Sequence, residues 1–443
     1  MTQMNDAAGY PASGATPESM LDFERALHEF RCYINDPVAT VDEAIAASPS
    51  MVMAHVLKAY LHLLGTEPAG LPVARASLDT AIALPANERE KHHLEAVRRI
   101  TAGRWRDAGR TLEDLSAEYP RDALALQAGH LVDFYTGDSR MLRDRIARAL
   151  PHWSSNLPGY HAVIGMHAFG LEETGDYAQA DRQGRLSVEL EPRDGWGQHA
   201  VAHVLEMTNR PRDGIAWMRG NVDAWSQDSF FAVHNWWHLA LYHLELEQVD
   251  EVLRLFDGPI YGPRSPLILE MIDASAMLWR LHLRGIDVGD RWDALADNWT
   301  PHIGAGNYAF NDFHAAMAFV GSRRPKSLRT LLETQRAAMA GDGDNAFFTR
   351  EVGHSATLAI QAIGEGDHAQ AVQLLRPIRN IAHRFGGSHA QRDLLDLTLI
   401  ESSFRAGDTA LAAGLTAERA AMRPQSPLAR LYVQRSMALA EAA

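Results

Sequence analysis

The sequence predicts an all-α fold, a tetratricopeptide-like solenoid of about ten helical hairpins wound as a right-handed superhelix. Three observations carry that prediction: short turns recur at a nearly fixed period, a small residue often follows each turn at the same offset, and strand patterning is nearly absent. The turns are Gly65, Gly103, Gly137, Gly175, Asn209, Gln248, Gly285, Ser322, Gly366 and Gly407, spaced by 38, 34, 38, 34, 39, 37, 37, 44 and 41 residues. About 14 helix-compatible residues precede each turn and a second apolar-periodic segment follows it. Ala108, Ala180, Gly214, Ala371 and Ala412 all lie five positions past a turn, where a small side chain lets paired helices approach closely.

A repeat array explains how 443 residues need not divide into several domains, because each unit packs only on its neighbours. The expected organisation is a mobile leader over residues 1–18, rich in small, polar, Gly and Pro residues, then a single solenoid domain over 19–443. The rhythm weakens at the Pro/Gly-rich GTEPAGLP beside Gly65 and at 338–348, AMAGDGDNAFF, where a loop that covers the groove is expected.

Lys plus Arg number 42 against 56 Asp plus Glu, a formal charge of −14. That balance disfavours nucleic acid and anionic membrane, and neither is expected as a partner. Cys32 is the only cysteine, so there is no intrachain disulfide framework and no zinc site built mainly on thiolates. A cytoplasmic location is expected, since neither an export signal nor a run of 18 apolar residues occurs.

The turn register also predicts which residues share a face. Ten positions before a turn, histidine recurs as His55, His93, His199 and His238, and Asp312 occupies the same place before Ser322. Steps of four and seven residues return to nearly the same side of a helix. The rule groups His199, His203 and Glu206; then His238, Tyr242 and Glu245, with His234 one turn earlier; and Glu172 with His161. Two imidazoles at i and i+4, completed by one from the next helix, suit a divalent metal such as zinc, with His199, His203 and His238 as ligands. The same imidazoles and carboxylates in a desolvated groove also suit metal-free acid/base chemistry. For His55 and His93, farther along the array, packing against neighbouring helices is the expected role.

Two later stretches add polar groups. NDFHAAMAF carries Asn311, Asp312 and His314 at a helix start, where Asn or Asp also serves as a cap. GGSHAQRD carries Ser388, His389, Gln391 and Arg392, either an anion site of free backbone N–H groups beside an arginine or a capped helix with Arg392 paired to Asp393 or Asp396. Trp196, Trp225, Trp236 and Trp237 are core candidates, one of them fit to wall a pocket.

The stretches YHAVIGMHAFGLEETGDYAQA, DGWGQHAVAHVLEM, HNWWHLALYHLE, NDFHAAMAF and GGSHAQRD together resemble the tetratricopeptide repeat protein 38 family over roughly 155–400. The resemblance implies a cytoplasmic α-helical repeat protein and no particular reaction. It favours the His, Glu, Asn and Arg positions named above as the site, and through HNWWHLALYHLE it brings in Asn235 and Trp237. The functional expectation is a pocket for a small polar or anionic molecule, with His199, His203, Glu206, His238 and Asp312 in hydrolysis or elimination and Arg392 holding the substrate's anionic group. The alternative is a scaffold that binds a peptide or protein segment in its groove. A homodimer is compatible with either.

Overall fold

The computed structural model describes residues 4–442 and is all-α, a tetratricopeptide-like array of short antiparallel helices. Successive helices pair, as Val52–Leu63 with Gly70–Ile82 and Tyr160–Glu173 with Tyr177–Leu190. Among the described residues 25 α-helical segments occur, more than ten hairpins supply. A hairpin of Pro17–Cys32 and Pro37–Ala47 precedes the first named turn. Its turn escapes a search for glycine because Tyr33 and Asn35 supply the left-handed backbone, at φ 60° and 56°.

A Gly-Asp dipeptide both ends and starts helices at four turns. At Gly175, φ +88°, the N–H groups of Gly175 and Asp176 bond back to Glu172 and Leu171 at 2.9 Å each. Those bonds satisfy carbonyls the helix end would leave bare. Asp176 then caps Tyr177–Leu190 by accepting from the Gln179 N–H. Asp138, Asp367 and Asp408 repeat the cap after Gly137, Gly366 and Gly407. At three turns the left-handed residue is the neighbour of the one predicted: Thr66, Glu247 and Arg323. The small residues five positions on are buried, and a Cβ on Gly214 would lie 2.4 Å from the Tyr242 ring.

The chain divides into two compact units, one of Met1–Val204 with Asn221–Asn235, the other of Leu205–Gly220 with Trp236–Ala443; the repeat pattern alone reads as one domain. In the first unit residues 4–12 of the expected leader make specific contacts. Met4–Asn5 pairs antiparallel with Pro11–Ala12, and Asp6 lies 3.0 Å from the buried Arg89, which also meets Asp122 at 2.9 Å. Composition reads residues 1–18 as a mobile leader; these contacts belong to its described part, and residues 1–3 lie outside the described residues.

In the second unit the expected loop over 338–348 shrinks to a few residues. The helix Pro325–Met339 is followed by Asp344–Phe348, which continues through a wide turn into His354–Gly364. Asn345 secures it, accepting from the Ala309 N–H at 2.8 Å and donating to the Gly306 carbonyl at 2.6 Å. No helix among the described residues is long and apolar enough to cross a membrane.

Candidate functional site

In the first unit three imidazoles converge. His199 and His203 lie one turn apart on Gly195–Met207, with ring centroids 4.4 Å apart. His234, on Ala232–Glu245, brings its Nε2 to 3.1 Å from Nε2 of His199. One ligand atom from each falls within 4.8 Å of the others. Aromatic rings enclose them: Phe169 stacks on His199 at 5.3 Å, and Trp196 and Phe231 lie 5.0 and 5.2 Å from the same ring. Trp196 is thus the tryptophan that walls the cluster. Glu172, fully buried, sets an oxygen 3.5 Å from Nδ1 of the buried His203. A set of imidazoles with a nearby carboxylate is a donor set a divalent cation can use.

Other predicted residues go elsewhere. His161 turns away to Asp194, Nδ1 to Oδ2 at 2.8 Å. Asn235 donates to the Gly195 carbonyl at 3.3 Å. His55 bonds the Pro49 carbonyl and His93 meets Asp122 at 3.0 Å, both tying helices together.

In the second unit Glu206, Tyr242 and Glu245, which the register placed on one side, line a single cavity. His238 bonds Glu206, Nδ1 to Oε2 at 3.3 Å, and Glu245 accepts from the Ser426 hydroxyl. Trp237 is fully buried and lies under Arg280, whose Cζ is 5.8 Å from its ring. Among leucine side chains the rest of the wall carries five arginines, Arg210, Arg280, Arg284, Arg419 and Arg423, with Asp393.

Arg419 grips Asp393 with two bonds of 2.8 and 3.1 Å. Arg280 donates to the Ala390 carbonyl at 2.6 Å and reaches Asp393 only at 3.7 Å. Arg284 donates to the Leu244 carbonyl at 3.0 Å, and the guanidinium of Arg423 lies 3.6 Å from the Met207 sulfur. Arg423 is 6% exposed. Burial pushes the Asp393 carboxyl up, but Arg419, Arg423 and Arg280 outweigh it and hold it well below the usual carboxylate range. Burial conversely lowers Arg280 and Arg284 from the ordinary arginine value.

Sequence reasoning missed these arginines, because none occupies the counted register positions. Arg284 and Arg423 do carry a signal: each follows directly on a helix end, Leu283 and Met422, where cations are favoured.

The two later stretches need correction. Asn311 is not a cap, since the helix Ala309–Gly321 is capped by Tyr308 without a side-chain bond. Asp312 is buried beside Gln335, 3.4 Å from its amide nitrogen, and its carboxyl is pushed up to about 7 by loss of solvent. His314 donates from Nδ1 to the Phe310 carbonyl, 2.8 Å away, and burial lowers its imidazole to about 4. Ser388 and Gln391 form a reciprocal capping box at the start of His389–Arg405, so the Ser388 N–H is spent within the turn. Arg392 bonds the Gly387 carbonyl, while Asp393 and Asp396 are taken by Arg419 and Arg379.

No family model matches the chain. Among solved structures it is similar to the human IFIT1 dimer with m7Gppp-AAAA, at 14% identity over 96% of each chain and a TM-score of 0.42. The yeast Tom70 is another, at 13% identity over 96% of this chain and 87% of that one, TM-score 0.32. The P58(IPK) TPR domain covers 88% and 89% at 12% identity, TM-score 0.22. The fold assignment rests on the helices and turns described above.

Proposed function

We propose that the chain is a helical-repeat binding protein whose second unit takes a carboxylate or phosphate group in the arginine-lined cavity. One observation carries this reading: Arg284 and Arg423 line the cavity, yet neither reaches a carboxylate within ion-pairing distance among the described residues. Asp393 is gripped by Arg419, Glu206 by His238 and Glu245 by Ser426. Arg423 acts on Asp393 and Arg284 on Glu245 only through space, and an anionic guest would give each guanidinium a charge-assisted partner in direct contact. The cavity, open on one side, offers about 50 Å³, room for one such group. A free small acid and the acidic end of a partner segment both offer that group, which joins the ligand-pocket and scaffold readings in one chemistry.

Titration calorimetry with phosphate, succinate and an acidic peptide, the last with free or amidated C-terminus, separates the sources. Each charge-assisted bond contributes about 1.5–3 kcal/mol, so Arg423→Met is expected to weaken binding by about 10- to 100-fold. Equal affinity of wild type and Arg423→Met for every anion defeats the reading. Binding of the free-ended peptide alone assigns the scaffold role.

The imidazoles of the first unit support a second reading, a divalent metal such as zinc held by His199, His203 and His234, with the acid/base chemistry of hydrolysis or elimination at its open position. His199→Ala/His203→Ala is then expected to lose one metal equivalent by elemental analysis; an unchanged metal content counts against it. Membership of the tetratricopeptide repeat protein 38 family belongs to this proposal too, supported by the five stretches quoted above.

A further inference from the structure

A second cluster in the first unit lies apart from both sites and includes the chain's single cysteine. The helix Pro17–Cys32 carries His28 and Cys32 one turn apart in its last turns, with Cys32 Sγ 3.9 Å from His28 Nδ1. His161 projects from the first turn of Tyr160–Glu173, and Glu191 sits at the C-cap of Tyr177–Leu190. One ligand atom from each of the four falls within 4.8 Å of the others. The ring centroids of His28 and His161 are 6.3 Å apart.

We propose that His28, Cys32, His161 and Glu191 form a tetrahedral site for a borderline-soft divalent cation of the zinc class. Thiolate, two imidazoles and a carboxylate are a closed four-donor set for that class. Metal–ligand bonds of about 2.0–2.3 Å put neighbouring donors roughly 3.3–3.8 Å apart in a tetrahedron. The Cys32–His28 separation of 3.9 Å lies just beyond this range, and the widest separations need a contraction of about 1 Å or more.

The surroundings of His161 add an independent argument. Its Nδ1 is held at 2.8 Å by Asp194, a fully buried carboxylate that also accepts from the Ser187 hydroxyl at 2.8 Å and the Gly197 N–H at 2.9 Å. Three bonds fix that carboxylate, fixing the ring's orientation and leaving Nε2 for a ligand. A histidine oriented through one nitrogen by a carboxylate is the arrangement that supports metal ligation through the other. Cys32 is fully buried while His28 is partly exposed, so the site has a dry floor and an entrance.

The four donors come from the first hairpin and the fifth, some 130 residues apart in sequence. With every position filled by protein, the cation has a structural role: it clamps the N-terminal helix to the helix beginning at Tyr160. Binding releases the thiol proton, so uptake strengthens as pH rises.

Cobalt(II) titration of chelator-stripped full chain tests this, because thiolate-to-cobalt charge-transfer absorption reports Cys32 alone and ignores the His199 cluster. One equivalent is expected to produce that band, zinc to abolish it by displacement, and saturation to raise the melting temperature. His28→Gln, at a partly exposed position, is expected to weaken uptake at least 10-fold with an unchanged circular dichroism spectrum. Cys32→Ser is expected to remove the band. A wild type that binds cobalt without the band, or binds none, overturns the proposal, as does a band of full strength and unchanged affinity in His28→Gln. Each readout is repeated in His199→Ala/His203→Ala, where this site is expected to behave as in wild type.

Discussion

Replacing Asp312 by asparagine should abolish the pH dependence that this carboxyl imposes on stability. Asp312 is 6% exposed, and its side chain meets only the Gln335 amide, at 3.4 Å. That one contact favours the charged form less than burial opposes it, so the carboxyl rises from its ordinary 3.8 to about 7. The folded state therefore holds a proton that the unfolded state gives up. Stability from this group is complete below pH 3.8 and declines until about pH 7, above which both states are ionised. A shift of about three units corresponds to about 4 kcal/mol at 1.36 kcal/mol per unit. About 3 kcal/mol of it falls between pH 4.5 and 7.5 by the same linkage. Asparagine keeps the shape and the neutral state at every pH. Urea unfolding of wild type and Asp312→Asn across that range should show the variant more stable by about 1 kcal/mol at pH 4.5 and by about 4 kcal/mol at pH 7.5, the two meeting only below pH 3.8. Parallel stability curves would refute the reasoning, since they would mean that Asp312 titrates alike in both states.

Two further outcomes follow from packing and charge. Gly214→Ala puts a methyl 2.4 Å from the Tyr242 ring and is expected to cost about 1–3 kcal/mol in chemical denaturation, with weaker anion binding because Tyr242 lines the cavity. Asp133→Asn strips the fully buried Arg145 of both its carboxylate bonds, 2.7 and 2.8 Å, and is expected to cost about 3–5 kcal/mol; a change under 1 kcal/mol would mean that the Gly109 carbonyl at 3.1 Å suffices.

The array is legible in the sequence because its signals are local. Gly-Asp turns, the small residue five positions on and the spacing near 34–44 residues all lie within one repeat, and helix geometry converts them into facing positions. That is why counting from the turns is enough to put Glu206, Tyr242 and Glu245 on one side. The cavity's arginines and the cysteine cluster are not legible for the opposite reason. Arg423 meets Met207 across 216 residues, and no periodicity links positions so far apart. An intermediate signal does exist: His161–Asp194 and Arg89–Asp122 are both 33 residues apart. A histidine or arginine at one helix start finds an aspartate at the start of the corresponding helix in the next repeat. Caps are misjudged where the cap lies within a turn of a better capping residue, as at Tyr308 against Asn311.

The turn at Gly175 and Asp176 fixes more than a change of direction. One residue inserted between them would advance the second helix by about 100°, sending Ala180 away from its partner and separating the stop signal from the cap. Substitutions along the exposed faces of Tyr177–Leu190 leave that phase untouched. In a chain built this way, evolution is free to edit letters but not spacing: the turns act as frame markers, and a change in length is accommodated only where no such marker lies.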